Sequence, residues 1–256
     1  MWRRDRHAEA GNRKIDPRID PAGWRDSGHD RSRRGTQSLL SARQIGKSAW
    51  EALIPSGDER VIHVVLPAYN EASSILAVLN SLHEAGSESG ARFRAIVVND
   101  GSSDATGDVV RNYRGGVPVT LIEHPANLGL GAAIRSGLLR AVDCAAGDDV
   151  IVTMDADDTH TPAAIAQMLA LIDAGYDVVV ASRYQPGSRV VGVPPLRRFM
   201  SDAASLLFRV VFPIKGVRDF TCGYRAYRSS VLRQAVERYR QEFINQDGFQ
   251  CMVDIL

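Results

Sequence analysis

Two acidic residues, Asp155 and Asp157, are separated by one residue and come directly after the apolar run at residues 150–154. Their carboxylate oxygens are hard ligands of the kind that Mg²⁺ or Mn²⁺ prefers, and both can reach one ion when the chain leaves regular strand geometry. The same pattern fits an ordinary turn before a helix, in which a residue such as Thr159 serves as the cap. These residues alone therefore predict either a metal site or a helix cap.

A second acidic position, Asp100, follows the apolar run at residues 93–98 and begins the sequence Asp-Gly-Ser-Ser-Asp. Its carboxylate could accept hydrogen bonds from a base or a ribose, while Gly101 and Ser102 would let the backbone approach a ligand closely. A plain Asp-Gly turn explains the same residues equally well. Both interpretations stay open at this point.

From residue 61 onward, short β-rich apolar runs alternate with longer helical stretches, which predicts an α/β fold with a mostly parallel central sheet flanked by helices. Strands are expected at residues 61–66, 93–98, 117–123, 150–154 and 177–181. Helices are expected at residues 72–85, 104–113, 132–145 and 162–174. In open sheets of this kind ligands bind beyond the carboxyl ends of the strands, so Asp100 and Asp155 should lie on one edge.

Composition and charge define the extent of the folded part. The chain has 256 residues, 45% of them hydrophobic, which suffices for one domain from about residue 58 to residue 256. Residues 1–57 are rich in Arg, Asp, Gly and Ser, and residues 1–50 hold 12 Lys/Arg against 6 Asp/Glu. This composition predicts a disordered basic arm. A solvated charge run explains the arm more readily than a nucleic-acid partner, which we do not expect.

Three cysteines, Cys144, Cys222 and Cys251, are far apart and lack Cys-x-x-Cys spacing, so neither a disulfide framework nor a zinc site is expected. No apolar run approaches the roughly 20 residues of a membrane-spanning helix, and the amino terminus lacks the apolar core of a secretory signal. These features predict a cytoplasmic protein that is soluble or peripheral on the inner face of a membrane.

Several segments, taken in order, resemble the family 2 glycosyltransferases of the GT-A fold, and among them the dolichol-phosphate mannosyltransferase-like branch. The similar donor-side segments are residues 66–71, 98–104, 127–131 and 154–157. The similar acceptor-side segments are residues 182–184, 196–198 and 219–225. The resemblance implies a donor half at about residues 58–184 and an acceptor-side half at about residues 185–256. The branch continues beyond this point, so the acceptor-side half is expected to be incomplete.

The resemblance also implies roles for individual residues. The implied nucleotide-sugar contacts are Pro67, Tyr69, Glu71, Asp100, Gly129, Asp155 and Ala156. The implied ligands of Mg²⁺ or Mn²⁺ on the donor diphosphate are Asp155 and Asp157. The implied catalytic residues are Asp157, Arg183, Asp219 and Asp247, and the implied acceptor-phosphate contacts are Arg183, Arg197 and Arg225. The family often has Gln or Ser where this chain has Thr159, so water is expected in place of a third protein ligand.

The acceptor class follows from charge and from the chemistry of attack. Residues 183–240 contain twelve Lys/Arg and three acids, a surplus that would attract a phosphate head group and an anionic bilayer. A lipid phosphate is already an anion, whereas a sugar hydroxyl must lose a proton as it attacks. We therefore expect an inverting transfer to a polyprenyl or dolichyl phosphate, with a separate membrane-anchoring partner as an option. The alternative is a glycan hydroxyl acceptor with Asp247 as the base.

Other classes of protein fit parts of the sequence. Residues 155–159 match the Asp-x-Asp-x-Thr pattern of haloacid-dehalogenase-like phosphatases, in which the first Asp is a nucleophile and the second an acid/base. That motif belongs on an early strand and needs a later Lys, and Lys215 is the only Lys downstream. A non-catalytic nucleotide-sugar binding module also stays open. The Gly129-Leu130-Gly131 sequence lacks the third glycine of a nicotinamide-binding loop, which argues against that class.

Overall fold

The structure, a computed structural model, describes residues 59–181, 222–244 and 251. The predicted basic arm at residues 1–57 and most of the predicted acceptor-side half lie outside the described residues. Within the part that is described, no helix is both long enough and apolar enough to cross a bilayer.

Six strands and five α-helices lie in the described residues. The strands are β1 (Val61–Ala68), β2 (Arg92–Asn99), β3 (Val119–Glu123), β4 (Val150–Thr153), β5 (Val178–Val180) and β6 (Arg225–Arg228). The helices are α1 (Ile75–Ser89), α2 (Thr106–Arg111), α3 (Leu130–Cys144), α4 (Ala163–Asp173) and α5 (Ser229–Tyr239), and a short 3-10 helix follows at Arg240–Glu242. Each predicted strand and helix is present, with ends that differ by up to four residues.

The six strands form one sheet in the order β3-β2-β1-β4-β6-β5. β1 pairs in parallel with β2 and with β4, and β2 pairs in parallel with β3. β6 is antiparallel to both of its neighbours, β4 and β5. The expected α/β architecture, a mostly parallel sheet flanked by helices, is therefore confirmed.

β6 is an element that the sequence analysis did not predict as a strand. It has four residues, with Arg225 at one end and Arg228 at the other. Its two central side chains, Ala226 and Tyr227, are 0% and 2% exposed. A run of four residues with an arginine at each end is too weak an apolar pattern to predict a buried strand. β6 is buried because it lies between β4 and β5.

The central strands are apolar on both faces because helices cover both faces. On one face Val64 of β1 belongs to a buried cluster with Leu79 of α1 and Ile165 of α4. On the opposite face the next residue, Val65, belongs to a second cluster with Ile134 of α3. Each such side chain contributes roughly 1.5–3 kcal/mol when it is removed from water. The continuous apolar run of β1 is thus a consequence of its central place in the sheet.

β1 runs two residues beyond its predicted end and includes Pro67. Proline has no amide hydrogen and interrupts a ladder in the middle of a sheet. The pairing of β1 with β4 ends at Val65, so Pro67 pairs with β2 alone, opposite Val98. The carboxyl end of β1 is therefore an edge on its β4 side, and a proline is tolerated there.

His63, near the amino end of β1, is a buried histidine with 1% exposure. Its Nε2 lies 3.1 Å from Oδ2 of Asp149. The backbone amides of Val61 and Ala146 donate to the same carboxylate at 2.8 Å and 2.9 Å. Burial lowers the pKa of His63 below its ordinary value of 6.5, and this effect outweighs the opposing hydrogen bond and charge of Asp149. The imidazole is therefore neutral at neutral pH.

We expect the pH dependence of stability to reveal this histidine. Because the pKa of His63 is lower in the folded chain than its ordinary 6.5, the unfolded chain takes up a proton below that pH while the folded chain does not. The free energy of unfolding should therefore fall as the pH is lowered from about 7.5 to about 5.5, by up to about 1.4 kcal/mol per pH unit. Urea unfolding of the parent chain and of His63→Gln at both pH values measures the effect.

His63→Gln keeps a donor for Asp149 but cannot titrate, so its stability should depend less on pH than that of the parent. His83→Gln is the matched control, since His83 is exposed on α1, and it should keep the pH dependence of the parent. A His63→Gln variant that loses stability as steeply as the parent would contradict the assignment.

Candidate active site

The carboxyl ends of β1, β2 and β4 lie at one edge of the sheet because these three neighbouring strands are parallel. Ala68 pairs with Asn99, so the loops after β1 and β2 begin side by side. Thr153 pairs with Val65, which brings the loop after β4 to the same edge. The acidic positions that follow β2 and β4 therefore share one edge, as the sequence predicted.

Asn70 and Glu71 tie the loop after β1 to the loop after β2. Asn70 has a φ of 58°, a left-handed conformation that Asn tolerates better than most residues. The side-chain oxygen of Asn70 accepts from the backbone amide of Ser103 at 2.9 Å, and the backbone amide of Asn70 donates to the hydroxyl of Ser102 at 3.0 Å. The amide of Glu71 donates to the hydroxyl of Thr106 at 2.8 Å. These bonds hold the two loops together as one unit.

Asp104 strengthens the same unit. Its carboxylate accepts from the amide of Thr106 at 2.9 Å and from the amide of Ala72 at 3.1 Å, and it also accepts from the Thr106 hydroxyl. The hydrogen bond from that hydroxyl is the main cause that holds the pKa of Asp104 below its ordinary value. Asp104 is therefore ionised at neutral pH, and its charge is engaged by protein donors.

Asp100 is 3% exposed, and its carboxylate binds the loop between β3 and α3. Oδ1 lies 2.6 Å from Nδ1 of His124 and accepts from the amide of Leu128 at 3.0 Å. Oδ2 accepts from the amide of Gly129 at 2.9 Å. The carboxylate thus holds a neighbouring loop, a task that the sequence analysis did not predict. Its contact with a nucleoside stays a prediction.

Gly101 lies where that loop crosses the end of β2. Its φ is 64°, and a Cβ at this position would lie 2.2 Å from the carbonyl carbon of Ala126 and 2.4 Å from the nitrogen of Asn127. A side chain cannot be accommodated at such distances without movement of the backbone. The group that approaches Gly101 closely in the structure is the protein's own backbone, and the predicted approach to a ligand stays a prediction.

Asp155 and Asp157 follow β4 and present carboxylates to solvent. The Asp155 side chain is 44% exposed, and Asp157 is exposed. Thr159 donates from its amide and its hydroxyl to Oδ1 of Asp157 at 3.0 Å and 2.6 Å. α4 begins at Ala163, and its N-cap residue Pro162 makes no side-chain cap hydrogen bond. The first amide of α4, that of Ala163, donates instead to the hydroxyl of Thr161 at 3.3 Å. The two carboxylates are therefore not the caps of α4, and their role as metal ligands stays a prediction.

The donor set at this loop fits a divalent cation that a substrate helps to bind. Mg²⁺ is commonly held by one or two carboxylates together with phosphate oxygens and water. Asp155 and Asp157 supply two carboxylates of that kind. Across residues 59–181 and 222–244, no group of three or more His, Cys, Asp or Glu side chains is placed to hold a metal ion. Among the described residues, Asp155 and Asp157 therefore supply only part of the coordination that a divalent cation needs.

Comparison with known proteins agrees with this geometry. Residues 63–235 match the family described as Glycosyl transferase family 2. The chain is 32% identical over 197 residues to polyprenol monophosphomannose synthase from Mycolicibacterium smegmatis, covering 75% of this chain and 69% of that protein. The chain belongs to glycosyltransferase family 2.

Two further proteins are similar to this family 2 glycosyltransferase, one in sequence and one in structure. It is 35% identical over 192 residues to undecaprenyl-phosphate mannosyltransferase from Micrococcus luteus, covering 75% of this chain and 74% of that protein. Its structure also resembles glucosyl-3-phosphoglycerate synthase from Mycobacterium tuberculosis, crystallised with Mn²⁺, UDP and phosphoglyceric acid. That likeness has a TM-score of 0.54 at 21% identity and covers 81% of this chain and 65% of that one. The GT-A fold is confirmed.

Family membership overturns the phosphatase interpretation of residues 155–159. The haloacid-dehalogenase pattern belongs on an early strand, whereas here the motif follows β4, the fourth of the strands that the structure describes. The local resemblance therefore reflects two aspartates and a threonine in a turn, which both classes of protein use for different chemistry.

His160 is a site residue that the sequence analysis missed. Its Nδ1 accepts from the amide of Asp155 at 3.4 Å and lies 3.6 Å from Oδ2 of the same residue. Its ring centroid is 4.7 Å from that of Tyr224. His160 therefore contacts both the loop after β4 and Tyr224, which directly precedes β6. The sequence signal was its place five residues after Asp155, within the same polar stretch.

His124 was also missed, although the same signal would have found it. His124 is a polar residue directly after a strand, since it follows Glu123 at the end of β3. In the family 2 glycosyltransferase this histidine contacts Asp100, one of the predicted site residues.

The structure assigns different surroundings to the remaining predicted residues. Tyr69 is 48% exposed, whereas Ala156 is 3% exposed and belongs to the core, and its contact with a nucleotide sugar stays a prediction. Gly129 has a φ of 91° and precedes α3. Arg225 is 0% exposed, and its Nε donates to the carbonyl of Cys222 at 2.8 Å. Arg225 thus supports the turn before β6, and its contact with an acceptor phosphate stays a prediction.

Four predicted residues lie outside the described residues. They are Arg183, Arg197, Asp219 and Asp247. Their catalytic and phosphate-binding roles stay predictions.

Gly101→Ala should destabilise the family 2 glycosyltransferase more than alanine at another left-handed glycine. The left-handed conformation costs a non-glycine residue roughly 1–2 kcal/mol, and at Gly101 the added Cβ would also meet the backbone of Ala126. Gly90 has a φ of 74° and its Cβ would have no heavy atom within 4 Å, so Gly90→Ala measures the conformational cost alone. We expect the free energy of unfolding in urea to fall by about 1 kcal/mol for Gly90→Ala and by at least about 3 kcal/mol for Gly101→Ala. Equal losses would show that the loop backbone is not packed tightly on Gly101.

Proposed function

We propose that this glycosyltransferase moves a hexose from a nucleoside-diphosphate sugar to a polyprenyl phosphate, in a metal-dependent inverting displacement. The observation that carries the proposal is the single sheet edge on which the Asp155 and Asp157 loop lies beside the loops after β1 and β2. The acceptor class is supported by two relatives, at 32% and 35% identity, that are named polyprenol monophosphomannose synthase and undecaprenyl-phosphate mannosyltransferase.

In this proposal the nucleoside lies against the loop after β1. Tyr69 is 48% exposed, so its ring can stack on a base. Pro67 and Glu71 stand on either side of it in the sequence. The Glu71 backbone is anchored to Thr106, and its carboxylate accepts from the hydroxyl of Ser74 at 2.5 Å. A loop held in this way can present its side chains to a ligand with little loss of conformational entropy on binding.

The donor diphosphate is proposed to meet the loop after β4. Asp155 and Asp157 would hold Mg²⁺ or Mn²⁺, which when bound would neutralise the charge on the leaving nucleoside diphosphate. Asp157 is oriented before binding by the two hydrogen bonds from Thr159. Arg183, two positions after the last described residue of that region, is proposed to face the phosphates. Fixed charges aimed at the leaving group stabilise the transition state without reorganisation.

The acceptor is proposed to be an anion that needs no base. The twelve Lys/Arg among residues 183–240 support attraction of a phosphate head group at a membrane surface. Arg197 is the main proposed contact with that phosphate. Attack by the phosphate oxygen on the face of the sugar opposite to the diphosphate would invert the anomeric centre. A hydroxyl acceptor would instead require proton removal, for which Asp247 is the candidate base.

Asp155→Asn and Asp157→Asn should each weaken metal-dependent donor binding without unfolding the chain. Each variant removes a negative ligand from a carboxylate pair, and losing one charged contact costs about 10-fold to 100-fold in affinity. Calorimetric titration with UDP-sugars and GDP-sugars in the presence of Mn²⁺ measures the loss, and circular dichroism checks the fold.

Asp158→Asn is the matched control, since Asp158 is exposed in the same loop and has a φ of 59°, which Asn tolerates. It should keep the donor affinity of the parent. Titrations of Asp155→Asn and Asp157→Asn that match the parent would refute the metal assignment.

Two substitutions distinguish the acceptor classes. With undecaprenyl phosphate as acceptor, Arg197→Ala should lower kcat/KM for the lipid by about tenfold or more, because a charge-assisted contact is lost. The KM for the donor should change little. Asp247→Asn should retain most of the transfer rate, because a phosphate anion needs no general base. Initial rates at varied lipid and donor concentrations measure both effects.

Arg198→Ala serves as the control for a change of charge beside position 197. Complete loss of transfer to undecaprenyl phosphate in Asp247→Asn would contradict transfer without a base, and a parent chain that does not use this lipid at all would favour the hydroxyl acceptor. An equal loss of donor and lipid affinity in Arg197→Ala would argue against a specific acceptor contact.

A further inference from the structure

His124 follows β3 directly and contacts three parts of the fold. Its side chain is 9% exposed. Nδ1 lies 2.6 Å from Oδ1 of Asp100 after β2, and Nε2 lies 2.9 Å from Oγ of Ser136 on α3. Its backbone amide donates to the carbonyl of Asn99 at 2.9 Å. One imidazole therefore connects β2, β3 and α3 at the edge of the sheet where the site lies.

The two ring nitrogens of His124 have different tasks. A carboxylate oxygen accepts, so Nδ1 is the donor to Asp100. Nε2 accepts from the hydroxyl of Ser136 in the neutral imidazole and donates to it in the charged one, since a hydroxyl can do either. The orientation of the ring is therefore fixed from both sides.

The contact between His124 and Asp100 matters because the Asp100 carboxylate also accepts hydrogen bonds from the loop at residues 125–129. Oδ1 of Asp100 accepts from the amide of Leu128 at 3.0 Å, and Oδ2 accepts from the amide of Gly129 at 2.9 Å. The outer side of this loop is exposed, with Leu128 at 48%. The loop is thus held from its inner side by one buried carboxylate and by its packing on Gly101. If the carboxylate turned, the amide of Leu128 would lose its acceptor, and the amide of Gly129 would keep only the side-chain oxygen of Asn127, to which it also donates at 3.0 Å.

We infer that His124 is a positioning residue, which orients the Asp100 carboxylate so that the loop at residues 125–129 stays in the arrangement that the donor site needs. His124 acts through Asp100 and does not itself touch the donor. The link to the donor rests on the proposed function, together with the nucleotide-sugar contacts that the family resemblance implies for Asp100 and Gly129. The link to the loop rests on the hydrogen bonds alone.

Two substitutions at position 124 distinguish positioning from packing. Asn carries its amide nitrogen near the place of Nδ1, so His124→Asn keeps a donor for Asp100. Gln carries its amide nitrogen near the place of Nε2, so His124→Gln keeps a partner for Ser136 only. We expect the amides of Leu128 and Gly129 to exchange at least about tenfold faster in His124→Gln than in the parent, and near the parent rate in His124→Asn. Hydrogen–deuterium exchange of the full chain, followed in peptides that span residues 125–131, measures this.

Nucleotide affinity should follow the loop. Titrations with UDP and with GDP, each with Mn²⁺, should give a Kd about tenfold weaker in His124→Gln than in the parent and close to the parent in His124→Asn. His63→Gln is the matched control, because His63 forms another buried His–Asp pair at the opposite end of β1. It should lower Tm while leaving the exchange of residues 125–131 and the Kd unchanged. Ser136→Ala removes the partner of Nε2 and leaves Asp100 unchanged, and it is the second variant if His124→Gln does not fold. The amides of residues 125–131 should exchange faster in Ser136→Ala than in the parent.

Parent-like exchange of residues 125–131 in His124→Gln, or in Ser136→Ala where that variant replaces it, would overturn the inference. Faster exchange with unaltered nucleotide affinity would also overturn it, because the loop would then not belong to the donor site. If the parent binds neither UDP nor GDP, the proposed function fails, and the exchange rates of His124→Gln and His124→Asn still decide whether His124 positions the loop.

Discussion

The parallel pairing of β1 with β2 on one side and with β4 on the other is the constraint on which the site depends. Parallel strands bring their carboxyl ends to the same edge of a sheet, whereas antiparallel pairing would send successive loops to opposite edges. The pairing is stable because β1 is buried on both faces, with Val64 and Val65 each 0% exposed. Burial of apolar side chains in the centre of the sheet therefore fixes where the acidic loops lie.

The acidic residues at this edge differ in function because their hydrogen-bond partners differ. Asp100 is 3% exposed and receives two backbone amides, and Asp104 receives two more. Asp155 and Asp157 face solvent, and Thr159 donates to one oxygen of Asp157. A carboxylate that protein donors satisfy stabilises loops, while one that faces solvent beside a second carboxylate attracts a cation. The same residue type therefore builds the edge at Asp100 and Asp104 and supplies the candidate metal ligands at Asp155 and Asp157.

The sequence predicted the parts of this arrangement that depend on local pattern. The apolar runs of β1, β2 and β4 were recognisable, and so was the placement of acidic residues at their ends. β6 was not predicted, because its burial comes from strands that lie far away in the sequence. The partner of Asp100 was not predicted for a similar reason: His124 is 24 positions away, and only the pairing of β2 with β3 brings the two together. Local composition cannot show which of several carboxylates the fold will satisfy.

The loop after β4 is attached to the chain at residues 222–224 on both of its sides. The hydroxyl of Thr153 donates to the carbonyl of Gly223 at 2.6 Å, and the hydroxyl of Tyr224 donates to the carbonyl of Thr161 at 2.7 Å. Burial raises the pKa of Tyr224, so its hydroxyl stays a protonated donor through the neutral range. Residues 222–224 belong to the stretch that resembles an acceptor-side motif. A displacement of residues 222–224 would therefore move the loop that carries Asp155 and Asp157, the candidate metal ligands.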